Sequence, residues 1–325
     1  MRPTTCIALI AVVAASTGCT RSEPPVPAAE PARQVAPQVA PPPQAQAREA
    51  RVQSLAGDGS EIRYRVYGAG EPAIVFVHGW SCDSGYWDAQ LNYFAAKYTV
   101  ITVDLAGHGE SSENRRKDWS MAHFGADVAA AVRDAGVGRV VLVGSSMGGT
   151  VALEAARRLP DQVIGIVGVD TFRDIATPYP KEMTDSLLAA MRADFAQATT
   201  ELVGDNFFTE RTDPILKKWI VNDMAAAPPK VAIPALIAYL GMEYGPLLEA
   251  LDLPVVALNS VDSPTDEAAT RRLEPRFRVV PLEGVGHFPM LERPDRFNGL
   301  LASIIAEWVK LEPAKNPLSG AAPAG

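Results

Sequence analysis

The chain has 325 residues, with 30 basic side chains against 38 acidic ones and a formal net charge of −8. No basic stripe interrupts this acidic balance, which argues against nucleic acid and anionic lipid headgroups as partners. Its three cysteines, Cys6, Cys19 and Cys82, are too few and too scattered for a disulfide framework, and no Cys/His cluster has metal-ligand spacing. We therefore expect neither a metal nor another cofactor.

The first nineteen residues are predicted to be an export signal. Residues 6–15 form an apolar run that is too short to span a bilayer as a stable helix. The run leads to Ser16-Thr17-Gly18-Cys19, which resembles the lipobox of bacterial lipoproteins, although Ser16 stands where leucine is usual. The resemblance implies a lipid anchor on Cys19 in the periplasm or outer membrane of a Gram-negative bacterium. Simple secretion after ordinary signal cleavage is the alternative.

Composition then divides the rest of the chain. Residues 20–50 are rich in Pro, Ala and Gln and contain no aromatic side chain, which predicts a disordered linker. A folded domain is expected over residues 51–310, and residues 311–325 are predicted to be a disordered tail.

Within the domain, apolar runs alternate with helical patterns. A hairpin is predicted first, because two short alternating runs flank Gly57-Asp58-Gly59. The later runs are almost continuously apolar, which is typical of parallel strands that are covered on both faces. The predicted strands are 51–55, 61–67, 73–77, 99–105, 140–143, 163–169, 254–258 and 278–281, and the predicted helices between and after them are 86–97, 121–135, 149–159 and 296–310.

Residues 171–253 break this alternation. Three helical segments, 181–195, 214–226 and 233–251, are predicted there without a strand. We expect a helical cap, and its larger apolar side chains are candidates for lining a pocket. These side chains are Phe207, Phe208, Trp219, Met224, Tyr239, Met242 and Tyr244.

The strongest chemical signal is a serine between glycines. Ser146 lies in Gly144-Ser145-Ser146-Met147-Gly148, between a β-branched run and a helical pattern. A serine on such a strand-to-helix turn is presented above the sheet edge, with the helix N-terminus aimed at any oxyanion formed there. We therefore predict that Ser146 is a nucleophile.

A base and an orienting acid are expected after the nucleophile in the chain. His287 follows the last predicted strand in a glycine-rich loop and is the only histidine that comes after Ser146. Asp262, just past the seventh strand, is favoured as the acid that orients His287. Asp170, at the end of the sixth strand, is its rival, and Asp266 and Glu267 are remoter choices.

An oxyanion needs two N–H donors, and two loops can supply them. The backbone N–H groups of Met147, after the nucleophile, and Trp80, in His78-Gly79-Trp80, are the predicted pair. His78 and His108 are interpreted as structural, and Cys82 as a small buried side chain rather than a nucleophile.

In combination, these motifs resemble the α/β-hydrolase superfamily across about residues 51–310. The resemblance implies a mostly parallel eight-stranded sheet with helices on both faces and a helical cap after strand 6. It also implies a serine hydrolase that cleaves a small or medium apolar ester or lactone through an acyl-enzyme.

Other functions stay open at this stage. The same triad serves C–C bond hydrolases and cofactor-free haloperoxidases or perhydrolases, from which pocket shape alone separates an esterase. A catalytically silent binding protein of the cell envelope is a further alternative, against which the intact set of Ser146, Asp262 and His287 argues.

Overall fold

The computed structural model describes residues 47–112, 115–173 and 179–311. The predicted signal segment with Cys19, nearly all of the predicted linker and the tail after residue 311 lie outside the described residues.

Eight strands form one sheet in the order β1-β2-β4-β3-β5-β6-β7-β8. Strand β2 pairs antiparallel with β1 and with β4, and every other neighbouring pair is parallel. The predicted fold class is therefore confirmed. The strands are β1 (Arg48–Gln53), β2 (Glu61–Tyr67), β3 (Ala73–Val77), β4 (Val100–Val103), β5 (Val140–Ser145), β6 (Val163–Val169), β7 (Val255–Ser260) and β8 (Arg278–Leu282).

The burial of the strands explains why their sequences differ. Every residue of β3, β4, β5 and β7 is buried, because helices cover both faces of the parallel part of the sheet. The outer strand β1 alternates between exposed and half-buried residues, as one solvated face requires. It begins at Arg48, three residues before the predicted start of the domain at residue 51.

Eleven α-helices accompany these strands within the described residues. A short 3-10 helix, Ser84–Trp87, precedes the first of them. The helices are α1 (Asp88–Ala95), α2 (Met121–Ala135), α3 (Met147–Arg158), α4 (Lys181–Ala193), α5 (Phe195–Asn206), α6 (Pro214–Ala225), α7 (Pro229–Leu240), α8 (Gly245–Ala250), α9 (Glu267–Arg271), α10 (Pro289–Glu292) and α11 (Pro294–Leu311). Within the described ranges, none of the helices has the length and apolar content that crossing a membrane requires.

The described part of the region between β6 and β7 is helical, as predicted, but it contains five helices instead of three. Asp194 adopts an extended conformation between α4 and α5, and its side chain accepts a hydrogen bond from the N–H of Gln197. Helix α5 is not among the predicted helices, because the prediction 181–195 ends where α5 begins. The predicted third cap helix, 233–251, is divided, because α7 ends at Leu240 and α8 begins at Gly245. These helices form the cap, and α5 and α7 touch the loops at the carboxyl ends of the strands.

Candidate active site

The candidate nucleophile stands at the turn between β5 and α3. Ser146 follows the last residue of β5 and caps the N-terminus of α3 with φ of 52° and ψ of −120°. Non-glycine residues rarely adopt this conformation, which costs about 1–3 kcal/mol. The Ser146 N–H donates to the carbonyl of Val169 at 2.9 Å, and the Ser146 carbonyl accepts from the N–H of Gly149 at 2.9 Å. The turn is therefore fixed on both sides, while Ser146 itself is partly exposed.

The glycines of this turn are required by close packing. A Cβ atom added to Gly144 would lie 2.1 Å from the carbonyl oxygen of Gly148. A Cβ atom added to Gly148 would lie 2.5 Å from the carbonyl oxygens of Val77 and His78. The start of α3 therefore lies against the backbone of β3 at a distance that no larger residue permits.

One strand further along the sheet, Asp170 directly follows β6. Because β5 and β6 run parallel and in register, Asp170 lies level with Ser146 at the same edge. Its side chain is fully buried, and its Oδ2 atom accepts a hydrogen bond from Nδ1 of His287. Its Oδ1 atom accepts from the N–H of Ser260 at 3.2 Å. An ionised carboxylate only accepts, so the proton of the imidazole is on Nδ1 and Nε2 is left as the basic nitrogen.

The prediction that Asp262 orients His287 is therefore corrected. Asp262 is exposed in the turn after β7, where its N–H donates to Oγ of Ser260 at 3.2 Å. Strand β6 lies between β5 and β7, so the acid that β6 carries is the nearer one to the nucleophile. The remoter choices have structural roles, because Asp266 caps the N-terminus of α9 and Glu267 lies in its first turn.

The Asp170 carboxylate has a second partner, and this one is a cation. Arg173 donates from its terminal nitrogen to Oδ2, the same oxygen that accepts from His287. Burial alone would raise the pKa of Asp170, but the charges and hydrogen bonds of Arg173 and His287 hold this pKa well below its usual range. Asp170 is therefore ionised throughout the neutral range.

The loop that carries His287 is held from two directions. The His287 N–H donates to the carbonyl of Phe207 at 2.7 Å, and the two rings lie 4.3 Å apart between centroids. From the other side, Oε1 of Glu292 accepts from the N–H groups of Gly286 at 2.8 Å and Phe288 at 3.2 Å. The cap and α10 together therefore fix the imidazole, whose side chain is 13 % exposed.

The loop after β3 lies against the nucleophile. A Cβ atom on Gly79 would be 3.5 Å from Cβ of Ser146. The next residue, Trp80, donates from its indole nitrogen to the carbonyl of Ala232 in α7 at 2.7 Å, which joins this loop to the cap. Trp80 therefore lies on one side of the turn at Ser146, and Met147, the first residue of α3, lies on the other. Their roles as oxyanion donors stay a prediction.

Two other histidines near the site have structural roles. Nε2 of His78 accepts from the N–H of Leu105 at 3.0 Å, so its Nδ1 is the donor to the carbonyl of Gly79 at 2.8 Å. His108 is buried beside it and contacts the carbonyl of Ala106 at 3.1 Å. Burial and, to a smaller extent, the nearby His78 lower the pKa of His108 to about 3, so this ring is neutral at physiological pH.

Cys82 is a buried thiol, not an exposed nucleophile. Its Sγ atom donates to the carbonyl of Trp80 at 3.3 Å. Burial, followed by the negative charges of Asp223 and Asp83, raises its pKa well above the ordinary value, which disfavours the thiolate. Within the three described ranges, no three His, Cys, Asp or Glu side chains are grouped as metal ligands would be.

Aromatic side chains of the cap surround this region. Phe195 in α5 meets the ring of Trp80 edge-on at 6.1 Å, and Phe207 covers His287. Trp219 in α6 lies 5.0 Å from the ring of Tyr86. Of the seven side chains predicted to line a pocket, Met224 is instead buried in the core of the molecule, while the other six are half-buried.

Comparison with known proteins identifies the family. A model of the alpha/beta hydrolase family matches residues 74–300, which is more than half of the chain. The chain belongs to the α/β hydrolase family.

Individual relatives cover most of this hydrolase. A non-heme haloperoxidase of Rhodococcus erythropolis is 29 % identical over 272 residues, which are 77 % of this chain and 97 % of the relative. The solved structure of a thermophilic esterase from Thermogutta terrifontis has a TM-score of 0.69 at 25 % identity and covers 80 % of this chain and 99 % of its own. A solved enzyme described as degrading N-acyl homoserine lactones has a TM-score of 0.68 at 27 % identity, covering 78 % and 99 %.

Sequence reasoning missed three side chains that hold the hydrolase site together. Arg173 is only three residues after Asp170, but nothing in the motif indicates an ion pair there. The amide of Asn259 accepts from the N–H of Thr171 at 3.1 Å and donates to its carbonyl at 2.8 Å, which fixes the backbone after Asp170. Glu292 joins the histidine loop to the cap, because its Oε2 accepts from the Thr212 hydroxyl at 2.6 Å.

Proposed function

We propose that this protein is a serine hydrolase that cleaves a small or medium apolar ester or lactone through an acyl-enzyme. The observation that carries the proposal is the buried Asp170–His287 pair beside the strained turn of Ser146. Strain at a partly exposed serine between tightly packed glycines favours a nucleophile over a turn needed only for packing.

The proposed reaction begins with attack by Ser146. Nε2 of His287 takes the hydroxyl proton as Oγ bonds to the carbonyl carbon, and the N–H groups of Met147 and Trp80 stabilise the oxyanion. Collapse expels the alcohol, which takes the proton from His287, and leaves an acyl group on Ser146. A water that His287 deprotonates then releases the acid and restores the serine. Asp170 keeps Nδ1 protonated and stabilises each imidazolium.

The surroundings of the site favour an apolar acyl or alkyl group. Phe195, Phe207, Trp219 and Trp80 contribute aromatic surface between the cap and the strand ends. A pocket with such walls binds by burial of apolar area, while few polar groups orient the reacting carbonyl. The similar solved enzymes, an esterase and a lactone-degrading enzyme, support the same substrate class.

A panel of p-nitrophenyl esters of increasing acyl length, together with acyl lactones, tests the proposal. We expect turnover by the wild type and none by Ser146→Ala. Ser145→Ala is the matched control, because Ser145 is the adjacent serine and is buried in β5. A serine-directed phosphonate should label Ser146 alone. Undiminished turnover in Ser146→Ala, or labelling at Ser145, would refute the assignment.

A perhydrolase or haloperoxidase activity is the second candidate. The similarity to a non-heme haloperoxidase over 97 % of its length is the observation that favours it. In that reaction hydrogen peroxide replaces water in attacking the acyl-enzyme, so a peracid is released and the same Ser146 is needed. Peracid formation from acetate or an acetate ester and peroxide distinguishes the two, and a C–C bond hydrolase would instead cleave a β-diketone.

We also propose that the protein is exported and anchored through a lipid on Cys19. The support is the sequence Ser16-Thr17-Gly18-Cys19 after a short apolar run. Buried acyl chains contribute about 0.8 kcal/mol for each methylene, so several chains anchor a protein stably. Cys19→Ser should move the protein from the detergent-soluble membrane fraction to a soluble exported form with unchanged activity. A wild type that is already soluble would reduce the proposal to secretion.

A further inference from the structure

Two N–H donors share one oxygen of the buried acid. The Arg173 guanidinium and Nδ1 of His287 both donate to Oδ2 of Asp170, whereas Oδ1 accepts from the backbone N–H of Ser260 at 3.2 Å. The side chains of Asp170, His287 and Arg173 are 0, 13 and 22 % exposed, so water screens their charges weakly. Protonation of His287 therefore places an imidazolium beside a cation that is already bound.

We infer that Arg173 is a positioning residue of the proposed hydrolase, which fixes the Asp170 carboxylate beside His287 and places a permanent positive charge on the carboxylate oxygen that His287 also contacts. The inference rests on the proposed serine mechanism only for its kinetic consequence. An Asp170 carboxylate that faces His287 alone would favour the imidazolium more strongly. Arg173 offsets part of that attraction, so its charge favours the neutral imidazole, which can accept the serine proton.

Among the described residues, the groups that act most on Arg173 are Asp170 and two phenols. Burial alone would lower the pKa of Arg173, but the charge and hydrogen bond of Asp170 raise it. Tyr239 in α7 and Tyr179 before α4 raise this pKa to a smaller extent. Burial also raises the pKa of Tyr239 well above its ordinary value, so this phenol carries no charge. Nε of Arg173 is buried and has no acceptor among the described residues. The guanidinium is therefore held mainly by Asp170.

The backbone around Arg173 keeps the guanidinium in place. Its carbonyl accepts from the N–H of Asp266 at 2.7 Å, which ties it to the loop after β7. Phe172, the preceding residue, is buried and has a left-handed φ of 58°. The short path from Asp170 to Arg173 is thus fixed at both ends, as a residue that positions a catalytic acid requires.

The test compares Arg173→Met, which removes the charge, with Arg173→Lys, which restores it on a side chain of similar length. A charge close to a titratable group shifts its titration by about one to three pH units, and the partial exposure of Arg173 reduces the expected shift to between about one and two. The acid limb of kcat/KM for a p-nitrophenyl ester should therefore rise by at least about one pH unit in Arg173→Met. On that limb kcat/KM then falls about tenfold.

Three further measurements separate an electrostatic effect on His287 from a role in folding alone. Arg173→Lys should return the acid limb most of the way to the wild-type position, and Arg271→Met, a matched loss of charge on the exposed face of α9, should not move it. A role limited to folding would lower the melting temperature and reduce activity equally at every pH. An acid limb that is identical in wild type and Arg173→Met overturns the inference.

An NMR titration keeps the inference testable if ester turnover is absent. The chain has four histidines, so the imidazole signal of His287 can be assigned by its loss in His287→Gln. Its titration midpoint should rise by about one pH unit or more in Arg173→Met. A wild type without esterase activity would refute the proposed function, whereas an unmoved midpoint would refute the inference about Arg173 alone.

Discussion

Replacing Asp170 with asparagine separates the two candidate acids more sharply than any other change. The amide keeps the volume of the carboxyl group, but it cannot hold the His287 proton on Nδ1 or stabilise an imidazolium. Substitutions of this kind lower kcat by roughly 10⁴ in serine triads, about 5.4 kcal/mol of transition-state stabilisation. Asp262→Asn makes the same chemical change at an exposed turn and should alter kcat less than about twofold.

The same substitution should also affect stability, because it leaves Arg173 without its anion. Removing one partner of a fully buried ion pair costs about 3–5 kcal/mol, and the 22 % exposure of Arg173 reduces the expected loss to about 2–3 kcal/mol. Urea unfolding measures this loss, and ester turnover at pH 8 measures kcat. The double variant Asp170→Asn with Arg173→Met should recover most of the stability but none of the activity. Normal turnover in Asp170→Asn together with loss of turnover in Asp262→Asn would refute the reasoning.

Three further predictions concern the turn and the buried histidine. Gly148→Ala should destabilise the protein by more than about 3 kcal/mol, because its Cβ would lie 2.5 Å from backbone oxygens. The control Gly204→Ala, on the open face of α5, should stabilise the protein by about 0.5–1 kcal/mol. Equal urea midpoints for the two variants would contradict this prediction. Ser146→Gly should be about 1 kcal/mol more stable than Ser146→Ala, because only glycine relieves the strain of a φ of 52°, and the reverse order in urea would count against strain at the turn. His108, with a pKa of about 3, binds its proton less readily in the folded state than in the unfolded state, so stability should fall as pH drops from about 6.5 toward 3. His108→Gln should flatten that fall, and an unchanged slope in urea unfolding at pH 7 and pH 4 would show that other groups cause it.

The strands could be predicted from the sequence because burial on both faces leaves a direct signal. The continuous apolar runs of β3, β5 and β6 are too short for buried helices and are typical of parallel strands. The cap helices were harder to predict from the sequence than the strands, since the boundaries of these helices depend on single residues. Asp194 ends α4 and caps α5, and an aspartate inside a helical pattern can equally be a solvated surface residue. The prediction therefore gave α4 and α6 but missed α5, and it joined α7 and α8 into one helix.

Local sequence motifs predict some residues of the candidate site, whereas other residues of the site depend on long-range contacts. The positions of Ser146 and His287 follow from motifs in which glycines and a strand end lie within a few residues. The position of the candidate acid does not follow from a local motif, because Asp170 and Asp262 both follow strands whose ends meet at one edge of the sheet. What decides between them is that one carboxylate turns inward to His287 and the other outward to water. The fixing contacts of Asn259 and the Arg173 pair are made only after that choice.

Backbone strain is concentrated at the site and explains how its groups are held. Five non-glycine residues in the described part of the chain have a left-handed φ, and four of them lie at or beside the candidate catalytic groups. These four are Ser81, Ser146, Asp170 and Phe172. Each such residue costs about 1–3 kcal/mol, so the surrounding structure must impose the conformation.

Phe172 shows how the fold imposes such a conformation, since its buried ring fills the space beside Gly168, where a Cβ atom would lie 2.5 Å from that ring. Burial of this aromatic ring fixes the turn that carries Asp170, and the hydrogen bond from Ser146 to Val169 ties the nucleophile to the same strand. The proposed acid and nucleophile are therefore held in a fixed relative position by the fold itself, which is the preorganisation that stabilisation of a transition state requires.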